Sequence, residues 1–298
     1  MTLLLQQLLN GFSLGAIYAL IALGYTMVYG TLQLINFAHG EVYMMGAFAA
    51  LYLAKVSGVA DNPTIPGAIV VMLGAMAFCA VLGMTIERVA YRPLRNSSRL
   101  NMLITAIGVS LLLQNLGLLM FGALQDFPSL LPEARWTVSG VMVRSNDLVI
   151  FGVTATLMVV LTWIVERTQL GRAMRAVSHS RDAAALMGIP ADRIVVATFA
   201  IGSVLAGAAA VLVAMDKHTI RPDMGMTFGL KAFVAAVLGG IGSVPGAVAG
   251  GLLLGLAETL VSGYVSSTFR DAIAFLLLIL ILLYKPSGLF GKHVPEKV

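Results

Sequence analysis

Asn36, His39 and Glu41 lie within one six-residue stretch, and Glu41 is the only formally charged side chain between residues 1 and 54. Glu258 is the one acid in the run from Gly229 to Ser262. At membrane depth such groups are costly unless they pair or face a cavity, so each is a candidate for function. Carboxylates and an imidazole in this setting can move protons, hold a cation or line a polar route. Three chemistries are open to them: an intramembrane enzyme using Glu41, His39 and Glu258, ion coupling through the two acids, or a solute pathway. The four histidines, at 39, 179, 218 and 293, fall in separate segments with no H-E-x-x-H or other ligand spacing, which argues against a metal site. No G-x-S-x-G nucleophile context and no Walker A sequence occur, so acyl transfer and nucleotide hydrolysis by those routes are not expected.

Two further stretches act through shape and charge. Gly239-Gly240-Ile241-Gly242-Ser243-Val244-Pro245-Gly246 interrupts an apolar run of thirty-four residues, Gly229 to Ser262. As one helix that run would be roughly 50 Å long against a hydrocarbon core of about 30 Å. Two shorter helices meeting at the glycine turn are expected instead, with the turn either buried in protein or lining a pathway. Its spacing, G-x-G-x-x-x-G, misses the dinucleotide fingerprint. Gly246 with Gly250, and Gly251 with Gly255, are small-xxx-small pairs that let helices approach closely.

The second stretch, Gly171 to Pro190, reads GRAMRAVSHSRDAAALMGIP and stands between uncharged runs at 148–165 and 194–215. Arg172, Arg175, Arg181 and Asp182 make it polar, its alanines favour helix, and Gly188-Ile189-Pro190 ends it. A solvated basic loop that only sets topology is one reading. A small exposed helix that docks another protein, with Ala183, Ala184 and Ala185 as small knobs and Gly188 as the turn, is the other.

The elements that must position these groups follow from composition. The chain has 298 residues, 59% hydrophobic and 11% charged, with mean hydropathy +0.92. A soluble domain is about a quarter charged, so this composition denotes a polytopic membrane protein. Its net charge of +5 reports loop sidedness rather than nucleic-acid binding, since the basic residues are not interleaved with aromatics. The single cysteine, Cys79, excludes an internal disulfide and suits a small core or lipid-facing position. The N-terminus lacks a basic n-region and a cleavage site and reads as a retained first span, from about Leu8 to Ile35. A break is expected within 31–41, because an unbroken helix from Leu8 to Ala54 would far exceed one crossing.

Further spans are expected at about 67–86, 102–121, 148–165, 194–214 and 271–284, giving an all-α bundle of about eight spans with two broken elements. Arg88, Arg92, Arg95 and Arg99 mark one cytoplasmic loop, and residues 167–193 fall on the same side. Together they hold nine of the nineteen Lys and Arg, and Lys285, Lys292 and Lys297 follow in the tail. Residues 122–147, which include Asp126, Glu133, Arg135, Arg144 and Asp147, are expected outside. One transmembrane domain, 1–298, is read as two related halves, about 1–125 and 148–290, each with an early broken element at 31–46 and 239–250. Discontinuous helices at matching places point to a transport pathway.

Three segments in order, LGYTMVYGTLQLINFAHGEVYMMGAF, GRAMRAVSHSRDAAALMGI and AAVLGGIGSVPGAVAGGLLLG, resemble the LivH-like integral-membrane permeases of branched-chain amino acid ABC importers. The resemblance covers essentially the whole chain, including the terminal YKPSGLFG. It implies a non-enzymatic inner-membrane subunit working with a second related permease, two cytoplasmic ATPases that carry the ATP and Mg, and a periplasmic binding protein. It makes 171–190 a coupling segment, with Gly171, Arg172, Arg175, Asp182, Ala183, Ala184, Gly188 and Ile189 as contact candidates. Asp182-Ala183-Ala184 followed by Gly188 is similar to the permease docking loop called the EAA motif, with Asp for Glu and shortened spacing, which leaves the contacting residues open. Asn36, His39, Glu41, Gly239, Gly240, Gly242, Ser243 and Gly246 are the pathway candidates. A same-family permease for urea or short amides, and an ion-coupled transporter or channel, are the alternatives.

Overall fold

The structure, a computed structural model, describes residues 2–291 apart from 96, 133 and 139. Glu133, Lys292, His293 and Lys297 therefore lie outside the described residues. The first half of the chain forms α1 (Thr2–Leu32), α2 (His39–Val56), α3 (Ile65–Ile86) and α4 (Arg99–Phe121). Short strands β1 (Gln125–Asp126), β2 (Arg135–Val138) and β3 (Val141–Arg144) follow, then α5 (Ser145–Arg167). Two short helices, α6 (Gln169–His179) and α7 (Arg181–Leu186), precede α8 (Ala191–Lys217) and β4 (Thr219–Ile220). The chain then forms α9 (Met224–Gly239), α10 (Val244–Tyr264) and α11 (Arg270–Tyr284). Among the described residues seven helices are long and apolar enough to cross a membrane, and α9 is shorter. The fold is an all-α polytopic bundle.

Local chemistry sets the helix ends. Thr64, Ser98, Thr168, Ser180 and Ser243 each accept a hydrogen bond from a backbone N–H in the first turn of the helix that follows, satisfying a donor that the helix itself cannot. Both expected breaks are present. Leu32 ends α1, Gln33 takes φ +53°, and the chain turns through residues 33–38 before His39 opens α2. Gly240 and Gly242, with φ +104° and +93°, turn α9 into α10, a backbone that side-chain-bearing residues rarely adopt.

Small residues let the inner helices approach. A Cβ on Gly251 would lie 2.6 Å from the Ala19 nitrogen, and one on Gly255 would strike Gly15, so this stripe of α10 lies against the α1 backbone. The other stripe turns toward α9: a Cβ on Gly246 would strike the Gly239 carbonyl, and one on Gly250 the Ala235 carbonyl. Without a hydrophobic force between helices in lipid, such backbone contact is what holds the bundle. The most apolar window of α1 is 89% buried and that of α11 only 6%, which makes α1 central and α11 peripheral. Cys79 is core: its Sγ donates to the Val42 carbonyl at 3.4 Å.

The two faces separate cleanly. At one end Gln6 exchanges hydrogen bonds with the Met142 backbone, and β1 pairs antiparallel with β4. There Arg144 bonds Asp147 and Asp216, which hold its guanidinium above its usual range. At the other end Arg92 and Arg95 both bind Asp192, at 2.8 and 2.5 Å, and Arg95 also binds Glu87. This basic end is the one that the positive-inside rule assigns to the cytoplasm, which would put the N-terminal end of α1 on the outer face.

Candidate translocation site and coupling face

The residues 33–38 break brings Asn36, His39 and Glu41 to different fates. Asn36 is buried, and its Oδ1 accepts from the Ala38 N–H at 3.1 Å and the Tyr91 hydroxyl at 2.7 Å. It fixes the turn to the cytoplasmic end of α3. His39 is buried edge-on against Tyr25, ring centroids 4.8 Å apart, in a space that a side chain at Gly24 would fill. Neither Asn36 nor His39 lines the cavity that Glu41 borders: Asn36 holds the turn, and the His39 ring packs on Tyr25 with its Nε2 buried and without a hydrogen-bond partner.

Glu41 does border one. A space of about 300 Å³ lies between α2, α4 and α9, lined by Glu41, Ser110, Gln114, Tyr25, Phe37 and Phe233 among others. Ser110 Oγ donates to Glu41 Oε1 at 3.3 Å, while Oε2 is buried without a hydrogen-bond partner. Gly225 makes room for that oxygen, since a Cβ there would strike it. Glu41 also sits in the first turn of α2, where the helix dipole favours a carboxylate.

Glu258 is not a free acid. Its Oε1 accepts from Lys231 Nζ at 2.8 Å, its Oε2 accepts from the Tyr18 hydroxyl at 2.7 Å, and Lys231 also reaches Asp271 at 2.6 Å. Sequence reading singled out Glu258 and passed over Lys231. The signal was available: a lone lysine and a lone acid in one apolar run call for each other.

The glycine turn lies at the basic end, where Gly239, Gly240 and Gly246 are buried, Ser243 is half-buried and Gly242 is exposed. Leu289 N–H donates to the Leu238 carbonyl at 3.0 Å and Phe290 N–H to the Gly239 carbonyl at 2.9 Å, so the segment after α11 covers the start of the turn. The turn is thus packed in protein at Gly239 and Gly240 and open at Gly242, so neither of the two expected settings describes all of it.

The coupling segment is two helices rather than one, because Ser180 leaves the helical conformation and caps α7. Gly171 is buried, and a Cβ there would strike the Val165 carbonyl, so it permits the sharp entry from α5. Arg172, Arg175, Asp182 and Ala183 are exposed, and Arg175 donates back to that Val165 carbonyl. Ala184, expected as an exposed knob, is 4% exposed and turned inward. The projecting groups are instead Leu186 and Met187, 89% and 82% exposed, just before Gly188 at φ +80° and the half-buried Ile189. The alanine pattern hid them because a six-residue helix gives no periodicity to say which side faces in.

Broken helices, a buried acid at the edge of a partly open cavity and a basic face carrying an apolar tip fit a multi-pass membrane permease. Residues 7–282 match the family described as branched-chain amino acid transport system permease component, and the chain belongs to that family. It is 45% identical to the high-affinity branched-chain amino acid transport system permease protein BraD of Pseudomonas aeruginosa, over 99% of this chain and 98% of the relative. It is equally similar, at 45%, to the corresponding protein LivH of Escherichia coli K12, over 99% and 97%. LivM of the same organism, a permease protein of the same named system, is 28% identical over 95% of this chain and 70% of its own length. The chain is thus a multi-pass protein of the inner (plasma) membrane.

Proposed function

We infer that this chain is the integral-membrane permease subunit of an ATP-driven importer for branched-chain amino acids. It forms the translocation pathway with a second related permease, while two cytoplasmic ATPases bind ATP and Mg and a periplasmic protein delivers substrate. The observation that carries the reading is the exposed Leu186–Met187 tip of α7 on the basic face, an apolar anchor that water disfavours and a partner groove would cover. Exposed Leu112 and Leu119 on α4 and Leu283 on α11 supply the faces toward lipid and the second permease. The names of the relatives favour amino acids over urea or short amides. The Lys231 pairing of Glu258 weighs against ion coupling through that acid. The correspondence of the two halves, each with its broken element, is part of the same reading.

Tagging the chain, extracting it gently and identifying what accompanies it tests this. Two ATPases and a second permease should co-purify with the wild type. Leu186→Glu with Met187→Glu should release the ATPases and leave the permease pair. A homo-oligomer carrying no ATPase would refute the reading.

A further inference from the structure

The Glu41 cavity has a chemical asymmetry that a plain conduit does not need. One carboxylate oxygen is held by Ser110 and the other is buried and unpartnered. Among the described residues no lysine or arginine pairs with Glu41; the buried Lys231 is committed to Glu258 and Asp271. A buried carboxylate without a counter-charge is expensive, and a cationic ligand group would supply what the protein omits. The wall beside it is apolar, with Phe37, Phe233, Ile107 and Leu111, and Gln114 adds an amide on the α4 side. At about 300 Å³ the space is at the small end of ligand sites, with room for one small molecule.

The geometry points to this cavity as a transient binding site for a zwitterionic amino acid: Glu41 Oε2 accepts from the α-ammonium, Gln114 donates to the α-carboxylate, and the apolar wall takes the side chain. The inference rests on the importer reading for its substrate class. It assigns to the permease a recognition step of its own, beyond whatever selectivity its binding protein exerts. Charge-assisted hydrogen bonds of this kind change affinity roughly tenfold to a hundredfold.

The test uses the full chain with its co-purified partners in proteoliposomes of phosphatidylcholine and phosphatidylglycerol. Saturation-transfer NMR at millimolar ligand compares leucine with leucinol, which keeps the ammonium, and with 4-methylpentanoate, which lacks it. Wild type should bind leucine and leucinol at least about tenfold better than 4-methylpentanoate. Glu41→Gln should lose that discrimination, and Glu41→Asp should restore part of it. ATPase stimulation by the loaded binding protein, measured on the same samples, reports whether the variant still assembles. Equal binding of leucinol and 4-methylpentanoate to wild type would overturn the inference, as would unchanged discrimination in Glu41→Gln. Either result with ATP-driven uptake intact leaves the importer reading standing. Absence of ATP-driven uptake in the wild type would instead remove the importer reading, and the binding comparison would still decide the role of Glu41.

Discussion

Lys231 and Glu258 offer the sharpest energetic test of the fold, because their side chains are 7% and 2% exposed and 2.8 Å apart. Lys231→Met removes the cation and leaves a carboxylate held only by the Tyr18 hydroxyl and, at 3.5 Å, by Arg270 Nε. Breaking a buried pair from one side costs about 3–5 kcal/mol, since the remaining charge stays desolvated. Arg270 is 41% exposed and can turn further toward Glu258, so the lower end, about 3 kcal/mol, is expected. Glu258→Leu alone strands Lys231, which keeps Asp271 at 2.6 Å, and should cost less, about 2 kcal/mol. The double variant replaces both charges with apolar groups and should return to within about 1 kcal/mol of wild type. Unfolding free energies from sodium dodecyl sulfate titration of the four proteins in mixed micelles close the cycle. A coupling energy of about 4 kcal/mol or more is expected; additive single effects would mean that the pair does not form, and the placement of α9 against α10 would be wrong.

Other substitutions probe separate parts of the same structure. Gly255→Leu should prevent α1 and α10 from approaching and abolish recovery of folded protein by fluorescence-detected gel filtration, whereas Gly108→Ala, with open space around it, should be recovered normally. Arg95→Ala strands Glu87, whose side chain is fully buried, and should lower unfolding free energy by about 3 kcal/mol, while Arg92→Ala, at the exposed end of the network, should cost under about 1 kcal/mol. Gly240→Ala meets both a φ of +104° and the Gly291 nitrogen, so a loss of about 1–3 kcal/mol is expected in the same titration.

The spans were legible because a bilayer allows few solutions: an apolar run of about twenty residues must be helical, and one much longer must break. That logic located both breaks and the close-packing glycines of α10. The arginine counts gather 88–99 and 167–193 on one side, and the structure joins Arg92 and Arg95 to Asp192 there, whereas no basic residue near Thr2 says which side it takes. What escaped was direction around each helix axis. Apolar residues face lipid and core alike, so no hydrophobic face marks which side of α1 or α2 is inward. Hence Asn36, His39 and Glu41 looked equivalent in sequence, and only the packing of Gly24, Tyr91 and Gly225 against them separates two structural groups from one that meets a cavity. Ala184 and Leu186 were exchanged in role for the same reason.

The buried residues beside Glu41 have a part in this reading, because they pack α8 and α1 against the start of α2. Arg95 ties Asp192, at the start of α8, to Glu87 just after α3, and α7 leads into α8 through residues 187–190. Midway along α8 the Gly202 carbonyl meets Gly24 of α1 at the point where His39 is inserted. His39 opens α2, and Glu41 follows two residues later in the same turn. Side chains at Gly24 or Gly202 would put flexible atoms into this junction. Glycine there leaves backbone against backbone, and close-packed backbone transmits a shift rather than absorbing it. Such stiffness suits the proposed coupling to an ATPase, and it gives His39, whose ring fills the space beside Gly24, a packing role next to the acid that borders the cavity.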